Sequence, residues 1–288
     1  MNRPLISIII PVYNAAATLS FCIESIINQT FKNVEMVIMD GLSTDGTAAL
    51  VQSYAAMHSN IRWRSAKDAG IYDAMNKGIS VANGGWLYFM GSDDTLFDSN
   101  VLREISGYLN DDADIIYGNT LWMPDNRQEE GGWNHKQLLN MSINHQRIFY
   151  RSNLFTKSGA FNLMYKIAAD YELNIRLFCD PGVKKKYINV TIARYHSGGY
   201  SANKVDEAFW DDWKNILLKN FSPYLPKKVI YNRVSWYCWY NMQQKKYGKA
   251  LQLFCTIYFN VFSFSFLKHS VSQFIKSSGT TNPENQPH

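Results

Sequence analysis

The chain lacks any CxxC pair and any cysteine–histidine ladder: its four cysteines, Cys22, Cys179, Cys238 and Cys255, are scattered. That spacing argues against a structural zinc site and against a disulfide framework, and a reducing compartment is expected. No GxGxxG and no basic glycine-rich loop follows the first apolar run, where Tyr13-Asn14-Ala15-Ala16-Ala17 stands instead. A dinucleotide oxidoreductase wants the first and a nucleotidyltransferase the second, so both readings lose their main support. Leu5 to Val12 is too short for the apolar core of a signal peptide with a cleavage site, so no export signal is expected and the sequons at Asn28, Asn140, Asn189 and Asn220 read as chance matches. Acidic residues are missing between Trp213 and Pro283, where lysines from Lys214 to Lys276 and Arg233 concentrate the net charge of +5. An anionic surface is the partner that such a stretch calls for, and nucleic acid is not expected.

What is present is ample apolar material. With 288 residues, 46% hydrophobic and 18% charged, the chain can fill the core of one large α/β domain carrying an appendage. Leu5 to Tyr13 is a continuous β-branched run, the mark of a strand buried on both faces of a mainly parallel sheet. Leu19, Ile23, Ile26 and Ile27 then recur at helical spacing, with Asn14 as the candidate N-cap. Val34 to Met39 and Ile61 to Ser65 read as strands, Ile71 to Ala82 as a helix, and Trp86 to Met90 as a fourth strand. Further on, Val101 to Leu109 and Ala168 to Phe178 are helical, while Asp114 to Gly118 and Lys186 to Tyr195 are strand-like. Alternation of this kind implies right-handed crossovers, helices on both faces, and a ligand crevice beyond the carboxyl ends of the strands.

Acidic residues stand at those ends: Asp40 after the second strand, Asp68 after the third, Asp93-Asp94 after the fourth. Carboxylates gathered at one crevice repel one another and lose hydration unless a cation or hydrogen-bond donors lie among them. Hard oxygen ligands suit Mg2+ or Mn2+, which keep waters and bridge diphosphate oxygens, so a nucleotide diphosphate is the expected ligand.

Three segments, Ser7-Ile-Ile-Ile-Pro-Val-Tyr-Asn14, Asp40-Gly-Leu-Ser-Thr-Asp-Gly-Thr47 and Tyr88-Phe-Met-Gly-Ser-Asp-Asp94, resemble in order and spacing the successive motifs of glycosyltransferase family 2. Lys67-Asp68-Ala-Gly-Ile-Tyr-Asp-Ala-Met-Asn-Lys-Gly78 resembles bacterial members that build O-antigen and other surface polysaccharides, and the likeness fades after Ser201. The resemblance implies a GT-A fold and inverting transfer from a sugar nucleotide, UDP by resemblance, to a hydroxyl of a lipid-diphosphate-linked oligosaccharide. It places Pro11, Tyr13 and Asp40 at the nucleoside, Asp68 and Asn76 at the nucleotide or ribose, Ser92 and Asp93 on the donor, and Asp93 and Asp94 at the metal. Gly91 stands where many members have the first Asp of Asp-x-Asp-Asp, so only the last two carboxylates remain. Asp170, in Ala168-Ala-Asp-Tyr-Glu-Leu173, resembles the Asp that serves as base, with Ala169 replacing a Glu and Glu172 as its rival on the acceptor side. His145 is placed on the acceptor side and His196 at the metal or diphosphate; Asp45 is expected to cap the following helix. A catalytically inactive sugar-nucleotide-binding scaffold stays open as an alternative.

The expected organisation is a catalytic domain over 1–201, a helical basic and aromatic region over 202–276, and a polar tail over 277–288. Ala250 to Leu267 is uncharged but interrupted by Gln252, Asn260 and serines. Aromatics from Trp236 and Trp239 through Tyr258, Phe259, Phe262 and Phe266, set among lysines, fit helices lying in the bilayer interface. Peripheral attachment to a membrane follows from this reading, and the family resemblance implies its cytoplasmic face; packing on the catalytic core or on a second copy of the chain is the alternative.

Overall fold

The computed structural model describes residues 4–109, 112–196 and 205–261. Strands and helices alternate from the start: β1 (Ile6–Val12), α1 (Leu19–Ile27), β2 (Val34–Asp40), α2 (Thr47–Met57), β3 (Ile61–Ser65), α3 (Ile71–Val81) and β4 (Trp86–Phe89). Every residue of β1, β2 and β4 is buried, which is why their sequences are unbroken apolar runs. There follow β5 (Thr95–Leu96), α4 (Val101–Ser106), β6 (Ile115–Met123), β7 (Arg127–Glu129), α5 (His135–Asn140), β8 (Ile148–Arg151), α6 (Asn153–Ser158), α7 (Ala169–Phe178) and β9 (Lys185–His196).

The sheet order is β3-β2-β1-β4-β8-β6-β9-β5, with β7 paired to β6. The first four neighbours are parallel; β8 runs antiparallel to β4 and to β6, and β9 lies parallel to β6. These directions matter for the site. Because β8 opposes β4, the turn entering β8 emerges at the sheet edge where β1, β2 and β4 end, and β9 ends at that edge too. Pro11 sits in β1 beyond the last residue paired to β4, so its missing N–H interrupts no ladder there.

One face of the sheet packs Ile8, Ile10, Ile38, Trp86 and Tyr88 against α1, α2 and α4. On the other face α3 crosses β1, where Gly78 meets Ile9, and Phe89 meets Tyr150, Phe155 and Phe161 edge-on. Each such buried side chain contributes about 1.5–3 kcal/mol of transfer free energy. Asn14 is not the cap of α1. That role falls to Thr18, because Asn14 takes a positive φ of 50° and gives its side chain to another loop.

The described residues fall into two compact units, one drawn from Met1–Trp133 and Ser142–Asp206, the other from Asn134–Met141 and Glu207–His288. The second unit therefore takes α5 out of the region expected to be catalytic. A capping box of Asn134 with Gln137 starts this helix, and it buries Leu138 and Leu139. Its companions are α8 (Glu207–Phe221), α9 (Lys227–Gln243) and α10 (Tyr247–Val261). Phe209, Trp213, Leu217 and Phe221 are buried along α8, and Lys246 and Lys249 pair with Glu207 and Asp211. Trp236 and Tyr240, two of the aromatics expected at a bilayer, stack on each other beside Trp210. Among the described residues no helix is long and apolar enough to cross a membrane. The tail over 277–288, with Phe262 and Phe266, lies outside the described residues.

Candidate active site

The loops after β1 and β2 are laced together by side chains. Asn14 N–H donates to Ser43 Oγ (2.8 Å), Thr44 N–H to Asn14 Oδ1 (2.8 Å), and Ala16 N–H to Asp45 Oδ2 (3.0 Å). Asp45 also accepts the N–H and hydroxyl of Thr47 at the start of α2. Asp40 is buried at the end of β2, where it accepts the hydroxyls of Ser43 and Ser65 (2.5 Å each) and the Ser43 N–H. Its carboxylate is thus engaged in ordering residues 41–45. Tyr13 is 65% exposed, and Asp68 lies beside it: a Cβ at Gly41 would fall 2.6 Å from Asp68 Oδ2 and 3.4 Å from the Tyr13 ring. Tyr13, Gly41 and Asp68 thus lie together at one corner of the site.

Asn76 is engaged within the protein. Its amide is bound at both ends to the Phe161 backbone, Nδ2 donating to the carbonyl (2.9 Å) and Oδ1 accepting the N–H (3.0 Å). The group expected on the ribose instead ties α3 to the segment before α7.

Residues 91–94 form a tight turn closed by Asp94 N–H to the Gly91 carbonyl. Ser92 and Asp93 are half-buried in this turn; Asp94 is buried. Its Oδ2 accepts Gln146 Nε2 at 2.6 Å and its Oδ1 accepts the His196 N–H at 2.9 Å. Burial pushes the Asp94 carboxyl up to about 6, and the charge of Asp93 adds to this. At Gly91, which stands in place of the first Asp of the motif, the two carboxylates fold close over the backbone: a Cβ there would lie 2.6 Å from Asp94 Oδ2 and 2.8 Å from Asp93 Oδ1.

Two adjacent carboxylates, one held against its own ionisation, fit a hard divalent cation. No group of three or more His, Cys, Asp or Glu side chains is placed to hold a metal among the described residues, so phosphate oxygens of a ligand and water would complete the sphere. His196 meets Asp94 through its backbone, and its side chain is exposed.

Asp170 lies in the first turn of α7. Oδ1 accepts the Tyr72 hydroxyl (2.9 Å) and the Tyr171 N–H (2.8 Å), while Oδ2 is 2.9 Å from His145 Nδ1. An ionised carboxylate only accepts, so Nδ1 carries the proton in that bond. Glu172, the rival, gives both oxygens to Arg176, whose guanidinium gathers the carbonyls of Ser158, Gly159 and Ala160. It is a structural ion pair.

Two residues near the carboxylates escaped the sequence reading, Tyr72 and Tyr195. The Tyr195 phenol, on β9 beside Trp122, is pushed up to about 12 by burial and then by Asp94, Asp93 and Asp170, so it shares the field of all three carboxylates. No local pattern marks either of them, since each acts across a long stretch of chain.

Two solved structures share this architecture. Staphylococcus aureus TarS 1–349 in complex with UDP-GlcNAc aligns with a TM-score of 0.66 and 17% identity over 81% of this chain and 71% of that one. The mannosyltransferase PcManGT from Pyrobaculum calidifontis, solved with GDP-Man and Mn2+, aligns with a TM-score of 0.59 and 15% identity over 97% and 81%. Such identities speak for the fold alone, and that fold is the GT-A fold of glycosyltransferases. Sequence narrows it further. Residues 7–172 match the model of Glycosyl transferase family 2, and a PGL/p-HBAD biosynthesis glycosyltransferase of Mycobacterium bovis (strain BCG / Pasteur 1173P2) is 37% identical over 214 residues, 73% of this chain and 84% of that protein. The chain belongs to glycosyl transferase family 2 and is a glycosyltransferase.

Proposed function

We propose that this glycosyltransferase moves a hexose from UDP, with inversion, to a hydroxyl of a lipid-diphosphate-linked oligosaccharide during O-antigen or related surface polysaccharide synthesis. The observation that carries the reading is the placement of two acidic centres at one sheet edge, Asp93-Asp94 after β4 and Asp170 at the start of α7, joined through the consecutive residues His145 and Gln146. Asp93 and Asp94 would hold a divalent cation, which when bound neutralises charge on the leaving diphosphate. Tyr13 and Asp68 line the nucleoside end of the crevice. Asp170 takes the proton of the incoming hydroxyl, and Tyr72 and His145 hold its carboxylate in one orientation for that transfer.

Attachment to an anionic membrane surface is part of the proposal. Tyr247, Leu251 and Phe254 are exposed at i, i+4 and i+7 on α10, an apolar stripe of the kind that enters the headgroup region.

Incubation with UDP-glucose, UDP-galactose, UDP-GlcNAc and GDP-mannose, with and without Mn2+, tests the reading. Release of nucleotide diphosphate from one UDP-sugar, dependent on Mn2+, is expected. Silence with every donor, alongside Mn2+-dependent nucleotide binding, would favour the inactive scaffold.

A further inference from the structure

Asp94 and Asp170 are far apart in sequence, yet each is bonded by a side chain of the same three-residue turn, His145–Arg147. The turn is fixed from several sides. Asn144 caps it through Gln146 N–H (2.9 Å), and the Gln146 carbonyl accepts the Tyr88 hydroxyl (2.8 Å) from within β4. Arg147, fully buried, donates to the carbonyls of Gly118 and Gly131 and pairs with Glu129. Just before the turn, the Ile143 carbonyl accepts Asn174 Nδ2 from α7, the helix that carries Asp170. Main-chain groups and Arg147 thus secure the turn to its surroundings, which leaves the side chains of His145 and Gln146 free to face carboxylates. The far nitrogen of the imidazole, Nε2, is buried with no hydrogen-bond partner among the described residues, so the ring meets the protein's polar groups only through Asp170.

We propose that the His145–Gln146 turn is a positioning device that sets the distance between the donor-side and acceptor-side centres, Gln146 orienting Asp94 and His145 orienting Asp170. This rests on the functional reading above, since it assigns Asp94 to the metal-bound diphosphate and Asp170 to the proton transfer. The amide of Gln146 supplies a donor to one oxygen of Asp94 and so turns the carboxylate toward the cation. The imidazole supplies a donor to Oδ2 of Asp170 while Tyr72 occupies Oδ1, so the carboxylate cannot rotate away from the acceptor.

The division of labour is testable because the two halves move different quantities. Calorimetric titration with UDP or GDP, whichever binds the unaltered chain in Mn2+, gives Kd; nucleotide release from the donor that the chain turns over gives kcat. Gln146→Leu, close in shape, is expected to weaken binding of the Mn2+–nucleotide by about 10- to 100-fold. His145→Ala is expected to lower kcat by about 100-fold or more with Kd unchanged. His145→Asn, whose amide can reproduce the Nδ1 donor, is expected to recover most of the lost turnover. Loss of Tm in both variants with Kd and kcat intact would overturn the proposal, and so would a His145→Ala variant that weakens Kd as far as it lowers kcat. Full turnover by Asp170→Asn would instead remove the base assignment and the His145 half with it, while the Gln146 half is decided by Kd alone.

Discussion

Gly91 shows how one residue alters a whole motif. Both carboxylates fold over the backbone at this position, and the charge of Asp93 bears on Asp94. The Asp94 carboxyl is raised, so the folded chain holds its proton more tightly than the unfolded chain does. Its contribution to stability is therefore full below about pH 4 and is lost as pH rises through about 6. Cation binding has the opposite sense, because the proton must leave first. Affinity for Mn2+ with UDP is expected to be flat above about pH 6 and to fall about tenfold per unit below it. Titrations from pH 4.5 to 8 check this, and a flat profile would show that Asp94 does not compete with the cation.

At the scale of elements, the strongest test is α3. Asn76 binds the Phe161 backbone at both ends of its amide, and Tyr72, one turn earlier, reaches the Ile167 carbonyl as well as Asp170. The helix thus fastens the segment that leads into α7. Asn76→Leu leaves a backbone N–H and carbonyl without partners, so a loss of about 1–3 kcal/mol is expected in urea unfolding, with Kd for Mn2+ and UDP unchanged. Weakened nucleotide binding at unaltered stability would return Asn76 to the donor site. The same helix shows where sequence stops being informative. Its apolar spacing and the buried runs of β1, β2 and β4 mark these elements nearly at the residues observed, because burial imposes periodicity locally. Asp93, Asp94 and Asp170 could be read from motifs at strand and helix ends. That Asn76 turns to Phe161, Asp40 to Ser43 and Ser65, and Gln146 to Asp94 could not, since each depends on which loops the antiparallel β8 and the end of β9 bring to one edge.

The whole molecule joins a GT-A unit to a helical unit with its own aromatic core. In the second unit charge is partly consumed within the structure, Lys246 and Lys249 being paired with Glu207 and Asp211, so the basic excess overstates what is free to meet a surface. The exposed stripe of Tyr247, Leu251 and Phe254 is the better candidate for membrane contact. Replacing all three with serine is expected to reduce flotation with anionic vesicles severalfold while leaving turnover of soluble donor intact; unchanged flotation would remove the stripe from the account.

Asp170 is the centre of the proposed chemistry. The deciding measurement is the turnover of Asp170→Asn beside its Kd for the Mn2+–nucleotide. A fall in kcat of about 100-fold or more with Kd unchanged is the predicted result. Near-normal turnover with binding intact would contradict it and place the base elsewhere.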